Sequence, residues 1–99
     1  MTSRTYQLRV YTIADGALAE FVTEWRAHVV PLRRKFGFEV VAAGADRETS
    51  TFAWLVSYQG DFAARDAEYY ASPEREAMDP DPARHIVSSE KTLLSEVDF

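Results

Sequence analysis

Apolar and polar positions alternate near the start of the chain, where Tyr6, Leu8 and Val10 interleave with Gln7, Arg9 and Tyr11. A period of two predicts a strand over residues 5–13. Asp15-Gly16 interrupts it, and Asp15 suits the N-cap of a following helix because its carboxylate can accept from first-turn N–H groups. Leu18, Phe21, Val22, Trp25, Val29, Leu32 and Phe36 then recur at steps of three and four, one apolar stripe along a helix. Pro31 falls roughly opposite the centre of that stripe. Its missing hydrogen bond to Ala27 is therefore on the wet side, where it bends the helix around the core. Gly37 suits a left-handed stop.

FEVVAAGA (Phe38–Ala45) and TFAWLVSY (Thr51–Tyr58), joined by the polar Asp46–Ser50, read as a β-hairpin. Gly60-Asp61 closes it, and Asp61 can cap a second helix, FAARDAEYYA, with Phe62, Asp66, Tyr69 and Tyr70 on one side. Ser72-Pro73-Glu74 combines N-cap, N1 proline and early acid, so a further helical turn runs toward Met78 before DPDP, Asp79 to Pro82, ends it. Residues 85–97 mix Ile86, Val87, Leu93 and Leu94 with polar positions, a final strand with one wetter edge. The order β-α-β-β-α-β is that of the ferredoxin-like fold: an α+β domain with a four-stranded antiparallel sheet and two helices on one face.

Both faces of that sheet are apolar. Phe52, Trp54, Val56 and Tyr58 point one way and Ala53 and Leu55 the other, while the second strand divides Phe38, Val40 and Ala42 from Val41 and Ala43. Helices cover only one side. Leaving Phe52, Trp54, Val56 and Tyr58 in water would expose on the order of several hundred Å² of largely aromatic surface, at roughly 25 cal/mol per Å² of lost burial. A second copy of the chain is the economical cover, so the pattern predicts a homodimer joined sheet to sheet about a two-fold axis.

Ninety-nine residues, 46% hydrophobic and 27% charged, suit a single domain over 1–99. With no cysteine, disulfides, thiolate metal sites and a thiol nucleophile are excluded. A net charge of −5 has the wrong sign for a nucleic-acid partner. Arg26, Arg33, Arg34 and Lys35 are the one basic cluster, and the last three end the first helix, where cations offset unpaired carbonyls; the alternative is a patch for RNA or an anionic partner. The N-terminus lacks the apolar core of a signal peptide, and no run reaches the roughly 18 apolar residues of a membrane span, so a cytoplasmic protein without a membrane partner is expected.

Candidate chemistry is sparse. His28, on the flank of the helical stripe, could turn into a helix–sheet pocket as a general base, or sit at the boundary bonded to a carboxylate or water. Arg9 and Tyr11 share one face of the first strand. If that face lines the pocket, Arg9 anchors an anionic group or oxyanion and Tyr11 donates to it; otherwise Arg9 forms an ion pair at the subunit interface, with Glu96 or Asp98 as partners. Trp25, Trp54, Tyr58, Tyr69 and Tyr70 could line a flat aromatic site for a quinone-like or polyketide-like ligand, or be core. Asp66 is the carboxylate to watch beside them; its bland alternative is a solvated acid next to Arg65. Glu24 and His28 have i, i+4 spacing, but two histidines without a tight acidic cluster make a poor metal set. No glycine-rich phosphate loop, GxSxG elbow or dinucleotide fingerprint is present, so no cofactor is expected.

The stretches YQLRVYTI, DGALAEF, WRAHVVPLRRKFGF, FAWLVSYQGDFAARDAEYYASPER and DPDPA resemble the NIPSNAP family along nearly the whole chain. The resemblance implies a dimeric α/β barrel, two ferredoxin-like subunits joined through their sheets. It carries no assigned reaction onto these residues. Larger eukaryotic members resemble mitochondrial adaptor proteins, and more distant relatives of the fold include cofactor-independent monooxygenases, haem-degrading oxygenases and small isomerases. Two readings follow: a homodimer that binds an apolar or aromatic small molecule, with monooxygenase- or isomerase-like chemistry, or a non-catalytic dimerisation or adaptor module. A cavity of at least a few hundred Å³ between helices and sheet, with His28 opening into it, favours the first; a solid core favours the second.

Overall fold

Alternation carries the first strand, β1 (Arg4–Ile13), through the middle of a four-stranded antiparallel sheet in a computed structural model that describes residues 4–99. The remaining strands are β2 (Glu39–Asp46), β3 (Thr51–Gln59) and β4 (Ile86–Ser95), in the spatial order β2-β3-β1-β4. Between β1 and β2 the chain is helical through α1 (Leu18–Glu24), a π-helical turn (Trp25–Val29) and α2 (Val30–Lys35). After β3 come α3 (Phe62–Ala71), α4 (Pro73–Glu76) and a 3₁₀ turn, Pro82–His85.

Three local devices were readable from residue types. Asp61 accepts from the Ala64 N–H and Ser72 from the Arg75 N–H, each capping the helix it precedes. Gly37 takes the left-handed conformation at φ 89°. Asp15 does not act as expected: the N-cap of α1 is Ala17, without a side-chain cap, and Asp15 is exposed.

The first helix also departs from the simple stripe. At its centre the Val30 N–H donates to the Trp25 carbonyl, an i→i−5 bond one residue ahead of Pro31, which has no N–H to give. The extra residue in that turn advances the inward phase by one position. Val29, Val30 and Arg33 are therefore buried, while Leu32 and Phe36 are only half-buried against the core. Arg33, expected among the cations at a solvated helix end, is 1% exposed.

In β1 the parity that looks polar faces the helices: Gln7, Arg9, Tyr11 and Ile13 are buried, whereas Leu8 is 37% exposed. Register places Arg9 opposite Trp54, Tyr11 opposite Phe52 and Gln7 opposite Val56, so the aromatic side of β3 lies beneath the helices and, contrary to the reading from strand pattern alone, is not the face left for a second copy to cover. The open side of the sheet carries Tyr6, Leu8 and Val10, facing Ser57, Leu55 and Ala53 in turn. In β2 a bulge between Val40 and Ala42 reverses the expected alternation. Val40 pairs with Val56 on the helix side, but Ala42 pairs with Leu55 on the open side and Ala43 with Trp54.

Phe52 anchors the core. Its ring lies 5.1 Å from that of Phe21 and 4.9 Å from that of Trp25, both edge-on, and it stacks on Tyr11 at 6.4 Å. Among the described residues no helix is long and apolar enough to cross a membrane.

Candidate functional site: two buried arginines in an aromatic layer

Arg9 and Arg33 meet between sheet and helices, each 1% exposed. Arg9 reaches there from β1 because its parity turns inward, and Arg33 from α2 because the π-helical turn rotates it inward. A buried guanidinium is costly unless most of its donors are engaged. Arg9 Nε donates to Gln7 Oε1 at 2.6 Å, and its Nη1 donates to the hydroxyls of Tyr11 at 3.2 Å and Tyr70 at 2.7 Å. Arg33 Nη1 donates to Asp66 Oδ1 at 2.6 Å and Nη2 to the Tyr70 hydroxyl at 3.3 Å. Arg9 Nη2 completes the arrangement at 3.4 Å from the same Asp66 oxygen.

The rings supply the rest of the surroundings. The Arg33 guanidinium carbon lies 3.9 Å from the Tyr69 ring centroid and 4.8 Å from that of Phe38; Arg9 lies 5.6 Å from that of Trp54. A third arginine, Arg75, stands 5.6 Å from the Tyr70 centroid, with both terminal nitrogens on the Asp81 carboxylate at 3.1 and 3.2 Å. Burial opposes the Arg9 charge, but the Tyr11 and Tyr70 oxygens outweigh it and hold Arg9 above the ordinary arginine range. Burial pushes the Tyr70 hydroxyl up, and the positive charges of Arg9 and Arg33 more than reverse this, so Tyr70 ionises below an ordinary tyrosine.

At this junction lies a cavity of about 50 Å³, walled by Arg9, Tyr11, Trp25, Arg33, Trp54, Tyr69, Tyr70 and Arg75 among others. Tyr70 and Ala83 are its solvent-exposed members. Four donors that belong to residues lining it, Trp25 Nε1, Trp54 Nε1, Arg33 Nε and the Tyr69 hydroxyl, are buried with no hydrogen-bond partner among the described residues.

The structure thus brings together Arg9, Tyr11, Trp25, Trp54, Tyr69 and Tyr70, with Asp66 bridging the arginines. Two expected members stand apart. Tyr58 packs on Phe38 at 5.2 Å, outside the cavity wall. His28 lies on the outer side of the first helix, in a separate open groove with Pro31, Lys35, Glu74 and Met78. The cavity of a few hundred Å³ with His28 opening into it, which would distinguish the ligand-binding reading from the adaptor, is not found between helices and sheet among the described residues: the layer is nearly filled by rings, and His28 lines the other groove. The Arg9 alternative is also revised, since its carboxylate partner is Asp66; Glu96 instead accepts from the Arg4 N–H and the Tyr6 hydroxyl on the open side. Arg33 and Arg75 were missed. Their helix-end and post-proline positions look like solvated sites, and only the inserted turn reveals where Arg33 points.

Two other places carry polar side chains in a groove or cluster. A larger groove of about 620 Å³ runs between α1 and the β2–β3 turn, but its walls, including Asp15, Arg26, Arg47 and Glu48, are mostly exposed and of mixed charge. Glu20, Glu24 and His85 bring one ligand atom each within 4.8 Å of one another, although Arg84 already binds both Glu24 oxygens at 2.7 Å and Glu20 at 3.0 Å. His28, paired with Glu24 by spacing alone, is not in that group.

Sheet order, helices on one side only and a polar cluster between the layers define an α+β protein of the ferredoxin-like kind. The chain belongs to the NIPSNAP family, whose model matches residues 6–99. It is similar to the crystal structure of a NIPSNAP family protein from Agrobacterium tumefaciens, with TM-score 0.86 and 19% identity over 100% of this chain and 90% of that one. A NIPSNAP domain protein from Burkholderia xenovorans superposes with TM-score 0.82 and 16% identity over 96% of each chain. A candidate antibiotic biosynthesis monooxygenase from Nitrosomonas europaea shares the fold, with TM-score 0.75 and 8% identity over 98% of this chain and 93% of that one. Among curated proteins none matches.

Proposed function

We propose that this NIPSNAP domain is a homodimeric small-molecule-binding protein whose ligand enters the aromatic cavity between helices and sheet. The observation that carries this reading is the wall itself: Tyr11, Trp25, Trp54, Tyr69 and Tyr70 surround space that the chain leaves unfilled, beside two arginines, and Trp25, Trp54, Tyr69 and Arg33 each keep a donor without a partner among the described residues. Arg9 and Tyr11 serve as ligand anchors, and Tyr70, whose hydroxyl contacts both arginines, is the group placed to exchange a proton with a bound molecule. The monooxygenase-like reading draws on a fold shared with the Nitrosomonas europaea protein, which is a fold-level analogy. A ligand-binding role needs no such analogy.

Dimerisation is proposed through the open face. Leu8 opposes Leu55 there, next to Val10 and Ala53 and with Leu94 at 41% exposed on the edge strand, an apolar surface without a helix over it. One observation favours the adaptor alternative: about 50 Å³ is small beside the several hundred Å³ of typical ligand pockets, so the rings and arginines would then serve packing.

Both tryptophans of the chain wall the cavity, so intrinsic fluorescence reports entry directly. Titration with phenols, aromatic alcohols and aromatic acids should give a saturable change for at least one class. A linear, non-saturating response to every compound favours the adaptor.

A further inference from the structure

We infer that the cavity is a carboxylate site, taking the head group of a small organic monoanion. The inference rests on the pocket reading above and specifies its chemistry.

Charge is the first argument. Arg9 and Arg33 bring two positive charges into a layer where each is 1% exposed, and Asp66 is the one carboxylate bonded to either among the described residues. Arg75 adds a third charge that Asp81 balances. Lys91 adds a further cation, its ammonium 5.9 Å from the Tyr70 ring and its strand position directly opposite Arg9. The buried cluster Arg9–Asp66–Arg33 therefore carries one uncompensated positive charge. Burying an unpaired charge is costly, typically several kcal/mol even after relaxation. A single negative charge from outside removes that cost.

Hydrogen bonding is the second, independent argument. The residues that line the cavity hold four unpartnered polar atoms among the described residues, all able to donate and only the Tyr69 oxygen able to accept as well: two indole N–H groups, Arg33 Nε and the Tyr69 hydroxyl. A group that only donates, or a neutral amide with a donor half, leaves part of this set unsatisfied. A carboxylate accepts at both oxygens and up to about four lone-pair sites, and its plane suits guanidinium recognition. The volume agrees. About 50 Å³ accommodates a carboxylate and a short stem, and the exposed Tyr70 and Ala83 leave the rest of the molecule a direction toward solvent. A doubly charged anion would overshoot the single excess charge of the buried cluster, and Lys91 is exposed and solvated.

Isothermal titration calorimetry at constant ionic strength tests this with matched pairs: acetate against acetamide, and benzoate against benzamide, with chloride as competitor. The carboxylate of each pair should bind at least about tenfold more tightly than its amide, a difference of about 1.4 kcal/mol. In Asp66→Asn, which raises the cluster's positive excess, carboxylate affinity should rise several-fold while the amides are unchanged. The wild-type comparison stands on its own if that variant does not fold. Equal binding of amide and carboxylate overturns the charge inference but leaves the pocket. Chloride displacing acetate at equal concentration overturns the carboxylate assignment. No saturable heat from any compound overturns both pocket and carboxylate site.

Discussion

Arg33 and Asp66 are joined at 2.6 Å across the helical layer, from α2 to α3, and the same Asp66 oxygen lies 3.4 Å from Arg9 on the sheet. One carboxylate thus ties three elements together. Removing a partner from a buried ion pair leaves charge without compensation, so Asp66→Ala should lower stability by about 3–5 kcal/mol, measured by urea denaturation. Asp61→Ala, which removes an exposed helix cap, should cost only about 1 kcal/mol. Equal losses in the two variants would mean that Asp66 has no special role.

The open sheet face makes a separate prediction. Leu55 opposes Leu8 at the middle of that face, so Leu55→Asp places a charge where the proposed partner packs. Sedimentation velocity at micromolar concentration should show a dimer for the wild type and a folded monomer for the variant. A wild-type monomer would remove the dimer from the account.

Acid sensitivity should be localised. Glu24 is buried at 8% exposure, and its bidentate hydrogen bonds to Arg84 hold its carboxyl below the ordinary value of 4.5 despite the opposing effect of burial. A depressed folded-state pKa contributes stability that is complete above the unfolded value and is lost as pH falls through the folded one. Wild-type stability should therefore drop below about pH 4.5, and Glu24→Gln should be less stable at neutral pH with a shallower acid limb. Parallel pH profiles for the two proteins would assign the acid transition to other groups.

Much of this architecture is legible from periodicity. Four strands, the order of elements, the Asp61 and Ser72 caps and the Gly37 stop follow from short-range rules that tertiary packing did not override. Three features escaped for identifiable reasons. The inward parity of β1 was hidden because hydrophobic patterning reads a strand's polar side as wet, and an ion pair from a distant helix can bury Arg9 just as a leucine is buried. The bulge at Val40–Ala42 lies in a run of small apolar residues where either parity looks acceptable. The π-helical turn at Trp25–Val29 carries no composition signal apart from the nearby Pro31, yet its one-residue advance decides that Arg33, and not Leu32, points inward. Arg9, Tyr11, Trp25, Trp54, Tyr69 and Tyr70 were identifiable as candidates by residue type. Their convergence was not, because it depends on those phase shifts.

Trp25 and Trp54 are the chain's two tryptophans, both wall the cavity, and both indole N–H groups lack a partner among the described residues. A ¹H–¹⁵N correlation spectrum of ¹⁵N-labelled protein should therefore contain two indole resonances that report the site without mutation. Adding acetate should move both saturably, as each N–H gains or nears an acceptor, while acetamide at the same concentration moves them far less. Two indole resonances that stay fixed throughout an acetate and benzoate titration would contradict the account.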